Sequence, residues 1–386
     1  MDIEKLRADT PGCAGVAHLN NAGAALPPQP VIDAVAGHFA LESSIGGYEA
    51  ADRGAAAIAH FYDAVAGLIG AHRDEIAYVE NATRAWDMAF HSIPFAAGDR
   101  IVTTTSEYAS NAIAYRQVAG ARGVRVTVLP DDEHGTLSLE ALAAELARGD
   151  VRLVSINHIP TYNGLVNPAA EVGRLCRETG TLYLLDACQS VGQLGVDVRE
   201  IGCDMLSSTG RKYLRGPRGT GFLYVRRQIV QTLEPPFLDL HSAEWTGPDT
   251  YEIAAGARRF ETWERYVAGQ IGLGVAAEYA AGIGVAAIEE RVTALAASLR
   301  DRLAERPGVR LLDRGARRSG LVTFTVDGHG SDAVKAALRA AGVNVSVTTG
   351  SHSRFDPKAV PAAVRASVHY YNTGDELGRL LDALPR

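Results

Sequence analysis

The stretch "TLYLLDACQSVGQLGVDVREIGCDMLSSTGRKYLRGPRGTGFLYV" (181–225) decides the fold. "TLYLLDA" and "CDMLSST" are short apolar runs, each ending on small or polar residues. Runs apolar on successive residues fit strands covered on both faces, as in a parallel sheet. A Gly/Pro-rich turn then leads into a third strand, "GTGFLYVRR". Lys212 sits in that turn among Arg211, Arg215, Arg218, Arg226 and Arg227.

The same alternation continues upstream. "EIAYVE" (75–80), "RIVTTT" (100–105), "RVTVLP" and "VRLVSINHI" are strand-like. "AIAHFYDAVAGLIGA" (57–71), "ATRAWDMAFHSI", "NAIAYRQVAGARG", "SLEALAAELARG" and "NPAAEVGRLCRETG" are helical, the fourth opened by a Ser cap. Strands alternating with helices predict βαβ units and a mostly parallel sheet between helices. After about residue 245 the pattern changes to a long helix with a Gly interruption (267–306), several strands and a closing helix, "TGDELGRLLDALPR". The expected division is a large domain over 20–245 and a smaller α+β domain built from 1–19 and 246–386.

With 386 residues the chain exceeds one ordinary core, so two domains are expected. The net charge of -7 removes a global electrostatic case for nucleic acid or an anionic membrane. Cys13, Cys176, Cys188 and Cys203 show no CxxC spacing, which argues against a disulfide framework or a zinc site. No apolar run reaches the ~18 residues of a spanning helix, and the N-terminus lacks the order of a signal peptide. A cytoplasmic protein is the expectation.

In an open parallel sheet, ligands bind beyond the carboxyl ends of the strands. Those ends carry Asn81-Ala82-Thr83-Arg84, then Ser106, Glu107 and Tyr108, then His158 and Thr161, then Asp186 and Gln189, then Thr209, Arg211 and Lys212. Singly these are caps, turn residues and solvated charges. Together they offer an amine, a buried acid and an anion cradle on one edge. Pyridoxal 5′-phosphate (PLP) needs all three: an amine for its aldehyde, a carboxylate for its ring nitrogen, and a phosphate site. Lysine suits the first role because its pKa falls when it is desolvated or near cations, here the arginine cluster. Asp186 suits the second. The helix N-terminus at 82–84 suits the third.

These residues resemble the class V aminotransferase-like group of fold type I PLP enzymes, which includes cysteine desulfurases, isopenicillin N epimerase-like enzymes, C–S lyases and kynureninase. The resemblance runs from "HLNNAGAALPPQPVIDAV" to "VRASVHYYNTGDELGRLLDAL" and is most specific in the quoted central stretch. It implies a seven-stranded, mostly parallel sheet in the large domain. It implies Lys212 as the Schiff-base lysine, Asp186 against the ring nitrogen and Gln189 on the phenolic oxygen. Tyr108 takes the place of a ring-stacking histidine, and Thr161 the place of an asparagine near the ring. Ala82, Thr83, Thr209 and Arg211 fall at phosphate positions, Arg211 where relatives often have histidine. Thr262 falls where a residue reaches the partner subunit's phosphate, which implies a homodimer with composite sites. Arg365 resembles the clamp for a substrate α-carboxylate. Asn21, Tyr48 and His352 are further substrate-side candidates, and "GGYEA" (46–50) and "HSAEWTGPDTYE" (241–252) are expected at the substrate mouth.

One departure narrows the chemistry. Desulfurases need a nucleophilic cysteine on a loop before the C-terminal segment. Here that stretch is "VTTGSHSRFDPKAV" (347–360), without cysteine. The expected reaction is C–S β-elimination from a cysteine S-conjugate, in natural-product or thiol metabolism. An aminotransferase, an epimerase, and PLP-dependent oxidative decarboxylation or deamination are the alternatives. His352, His369, Tyr48 and Tyr108 are the candidates for a second acid or base.

Overall fold

The structure, a computed structural model, describes residues 1–352 and 354–385, apart from the His352 side chain. Its centre is a seven-stranded sheet: β1 (Ile76–Val79), β2 (Arg100–Thr104), β3 (Arg125–Leu129), β4 (Val151–Asn157), β5 (Leu182–Asp186), β6 (Met205–Thr209) and β7 (Gly221–Val225). The strand order is β1-β7-β6-β5-β4-β2-β3. Every pair is parallel except those of β7, which runs antiparallel to β6 and β1. The cause is connection length. Parallel neighbours need a crossover, here a helix in most cases, whereas the Gly/Pro turn 210–220 returns the chain directly.

The strands bury both faces, and their alternate residues feed two cores. Ile101, Leu153, Leu184, Met205 and Leu223 join one core with Trp86, Phe90 and Tyr115. Val102, Val154, Leu185, Leu206 and Phe222 join the other. This is the period of two expected of strands, hidden from the sequence because both faces are apolar.

A second sheet is antiparallel, ordered β10-β11-β13-β12, from β10 (Val309–Leu311), β11 (Leu321–Val326), β12 (Ser346–Thr349) and β13 (Ala362–Ser367). An exposed hairpin, β8 (Ala243–Gly247) and β9 (Thr250–Ile253), joins the two regions and sets Trp245 opposite Tyr251. The expected long helix is two, Val267–Ile283 and Val285–Ala304, bent by 80° at Gly284. Gly284 has φ +92, a conformation that favours glycine. The first of the pair packs on Gln29–Ile45 and Ala55–Ile69, and the second packs against β11 and Gly374–Asp382. Among the described residues no single helix is long and apolar enough to cross a membrane.

Candidate active site

The carboxyl ends of β1, β4, β5 and β6 open into one cavity of about 410 Å³. Asn81, Ala82, Thr83, Tyr108, Thr161, Asp186, Gln189, Thr209, Arg211 and Lys212 line it, so the candidates drawn from separate strand ends converge. Trp86, Asn111, Asn157, Ile159 and Cys188 complete the wall. Sequence reasoning did not select these five. Asn157 was within reach of it: it ends β4 and pairs in register with Asp186.

At one end is the helix Ala82–His91. The Asn81 side chain caps it by accepting from the Arg84 backbone N–H at 2.9 Å. Free N–H groups in its first turn face the cavity beside Thr83 and Thr209 and favour an anion. Gly221 allows this placement. A Cβ there would stand 2.7 Å from Ser208 O and 2.9 Å from Asn81 C, both backbone atoms.

On the floor, Asp186 is held by the Cys188 backbone N–H (2.9 Å), Asn157 Nδ2 (2.9 Å) and Asn111 Nδ2 (3.3 Å). Burial pushes its carboxyl up from the usual value, against these donors and the charge of Lys212. Gln189 donates to Ala22 O and Thr161 Oγ1, both at 3.1 Å. Arg365 is buried behind Thr161 and donates to its carbonyl (2.8 Å) and hydroxyl (2.7 Å). Burial lowers its pKa to about 10, so it stays cationic at neutral pH.

Several expectations are corrected. Of the arginines around Lys212, only Arg211 is among the described cavity residues, and it also donates to Gly23 O. Arg215 is buried and turns away to Leu26 O and Thr10 Oγ1. Arg226 pairs with Asp204, and Arg227 meets His72 and Asp74. Arg215, Arg226 and Arg227 are thus drawn away by partners of their own. Asn21 is fully buried, donating to His18 O and Ser367 O and accepting from Tyr371, so it ties the N-terminal segment to the C-terminal one. His369 is fully buried on Tyr213 O, with its pKa lowered well below normal by desolvation, away from the cavity lining. Tyr48 is 74% exposed on the helix Gly47–Arg53 and does not line this cavity. The expectation for Thr262 concerns the partner's site; in this chain its Oγ1 donates to Glu264 O. The His352 side chain lies outside the described residues.

The cavity fits PLP on its own chemistry. Of the residues lining it, Gln189 Oε1, Asn157 Oδ1 and Trp86 Nε1 are buried without a protein partner, polar groups that a bound polar molecule would satisfy.

The family model for aminotransferase class V matches residues 17–380. A probable cysteine desulfurase of Methanothermobacter thermautotrophicus is 30% identical over 401 residues, covering 100% of this chain and 98% of that protein. The apo structure of a cysteine desulfurase from Thermococcus onnurineus superposes with a TM-score of 0.89 at 27% identity, covering 98% of this chain and 96% of that one. The cystine C–S lyase C-DES, in complex with its product cysteine persulfide, gives a TM-score of 0.86 at 24% identity and covers 97% and 100%. The chain belongs to the class V aminotransferase family and is a fold type I enzyme that uses pyridoxal 5′-phosphate.

Proposed function

We propose that the enzyme is a C–S β-lyase that cleaves a cysteine S-conjugate to a thiol, pyruvate and ammonia. The observation that carries this is that the segment 347–360 holds no cysteine while the cavity residues are otherwise all in place. The thiols elsewhere are poor substitutes. Cys176 and Cys203 are buried, and desolvation raises both. Cys188 lines the cavity, but burial raises it too, and it sits just past the end of β5 rather than on a loop able to carry sulfur away. The desulfurase and C–S lyase names of the relatives point to a cysteine-derived substrate.

The roles follow from position. Lys212 would hold the cofactor aldehyde, Asp186 the ring nitrogen and Gln189 the phenolic oxygen. Tyr108 and Thr161 would flank the ring. Ala82, Thr83, Thr209 and Arg211 would bind the phosphate. When bound, the cofactor supplies an electron sink that acidifies Cα–H of an amino acid. Lys212 would be the base that takes that proton. Arg365 holds the α-carboxylate and so fixes which Cα bond faces Lys212. The thiolate leaves from Cβ, and water supplies the pyruvate oxygen as ammonia departs.

A second copy of the chain completes the reading. Trp245 and Tyr251 on the hairpin, and Trp263 and Tyr266 next to Thr262 in the sequence, are exposed. A homodimer would cover them and bring Thr262 to the partner's phosphate site, with 46–50 and 241–252 at the partner's mouth. In the same reading, residues 20–245 form the cofactor unit and residues 1–19 and 246–386 the smaller one, whose helix Val267–Ile283 packs back on Gln29–Ile45 and Ala55–Ile69.

The purified protein is expected to be yellow, and Lys212→Ala to be colourless and inactive. With cysteine S-conjugates, pyruvate and thiol should appear without any keto acid. Amino transfer only when a keto acid is added would replace the lyase reading by an aminotransferase.

A further inference from the structure

Behind Asp186 lies a second buried carboxyl that this chemistry does not use. Glu107 is 2% exposed. Its Oε1 accepts from the Tyr108 backbone N–H (2.7 Å) and Asn111 Nδ2 (3.0 Å). Its Oε2 accepts from Thr103 Oγ1 (2.6 Å) and Tyr115 OH (2.7 Å). The same Asn111 Nδ2 donates to Asp186 Oδ2 at 3.3 Å. The two carboxyls therefore share one amide, itself 4% exposed and part of the cavity wall.

Capping the helix Ala109–Arg122 would require only one oxygen of Glu107. The other faces two hydroxyls, which can accept as well as donate. Tyr115 has an alternative acceptor in Ser155 Oγ at 2.9 Å. A proton arriving on Oε2 is accommodated by turning these hydroxyls, while Oε1 keeps its N–H donors. Burial pushes the carboxyl up to about 7 despite four donors, and the Asp186 charge adds to the rise. The titratable groups facing Glu107 are Tyr115 from the following helix and Asp186 from β5, with Lys212 acting in turn on Asp186.

We propose that Glu107 is a positioning residue for Asp186, acting through the shared Asn111 amide to orient that carboxylate and to set the negative charge behind the cofactor's ring nitrogen. The proposal rests on reading Asp186 as the ring nitrogen's partner. With Glu107 ionised, two negative charges stabilise protons on the cofactor. Removing one makes those protons leave at lower pH.

The test is a pH titration of the holoenzyme's visible band, with kinetics normalised to bound cofactor. Glu107→Gln is expected to lower the band's pH midpoint by about one unit and kcat by about tenfold, with KM changed less than about twofold. Asn111→Ala removes the shared donor while leaving both carboxyl side chains in place, and should also move the midpoint. In the double variant the shift should be smaller than the sum of the two single shifts, because both act on one contact. A Glu107→Gln enzyme that loses heat stability but keeps the wild-type midpoint and kcat would overturn the proposal, as would additive shifts. If Glu107→Gln does not fold, an unchanged midpoint and kcat in Asn111→Ala overturn it alone. Asp186→Asn separates the two levels: no effect there sinks the reading of the site, whereas loss there with a silent Glu107→Gln sinks only this inference.

Discussion

In the proposed reading, Arg365 is a buried cation that would serve as the recognition group for a substrate carboxylate. Its guanidinium is out of water, spends two bonds on Thr161 and leaves Nε open. A carboxylate arriving there gains a charge-assisted bond in a dry site. Arg365→Ala is expected to raise KM by about 10- to 100-fold with a smaller change in kcat, read by steady-state assay on the S-conjugate panel. Arg365→Lys should recover little, because an ammonium cannot reproduce the planar fork. This residue was legible in "RASVHYYNT" by resemblance. Its neighbour His369 was not separable from it, because sequence does not show which side chains of a strand end point into the core. The Glu107–Asn111–Asp186 bridge was legible only as an acid at a strand end.

The helix Ala82–His91 and strand β7 meet where the site needs an anion cradle. Their contact is backbone against a missing Cβ at Gly221. Gly221→Ala should force the helix N-terminus away from β7, cost about 1–3 kcal/mol in stability, and weaken PLP affinity more than it changes kcat of the loaded enzyme. Urea unfolding and cofactor titration measure the two effects. Most large-domain elements were readable from period and caps: Ser138 does accept from the Ala141 N–H at 3.1 Å. The bend at Gly284 was readable as an interruption but not as an 80° turn, since its direction is set by the two surfaces the helices cover.

Across the molecule, buried groups of opposite sign oppose each other in pH dependence. His158 is lowered to about 4 and His369 well below normal, both by burial. Unfolded histidine takes a proton near pH 6.5, so their contribution is present above that pH and is lost on acidification. Glu107, raised to about 7, has the reverse sign: the folded state binds its proton first and gains stability as pH falls below 7. Glu107→Gln removes this opposing effect. Between pH 7 and 5 the variant should lose stability more steeply than wild type, by up to about 1.4 kcal/mol per pH unit, measured by urea denaturation at fixed ionic strength. An equal or shallower slope contradicts the assignment.

The sequence by itself determined the parallel sheet, the cofactor and the strand ends that carry Lys212, Asp186 and the helix N-terminus at 82–84. These follow from local pattern and from the rule that sheet ligands sit beyond strand ends. Tertiary structure alone decided that the arginines around Lys212 disperse to separate partners and that Asn21 is a tie between chain ends. It also decided that Asn111 joins two carboxyls. The reason is physical: a side chain's role depends on which donors and acceptors come within about 3 Å of it. Those partners come from segments tens to hundreds of residues away.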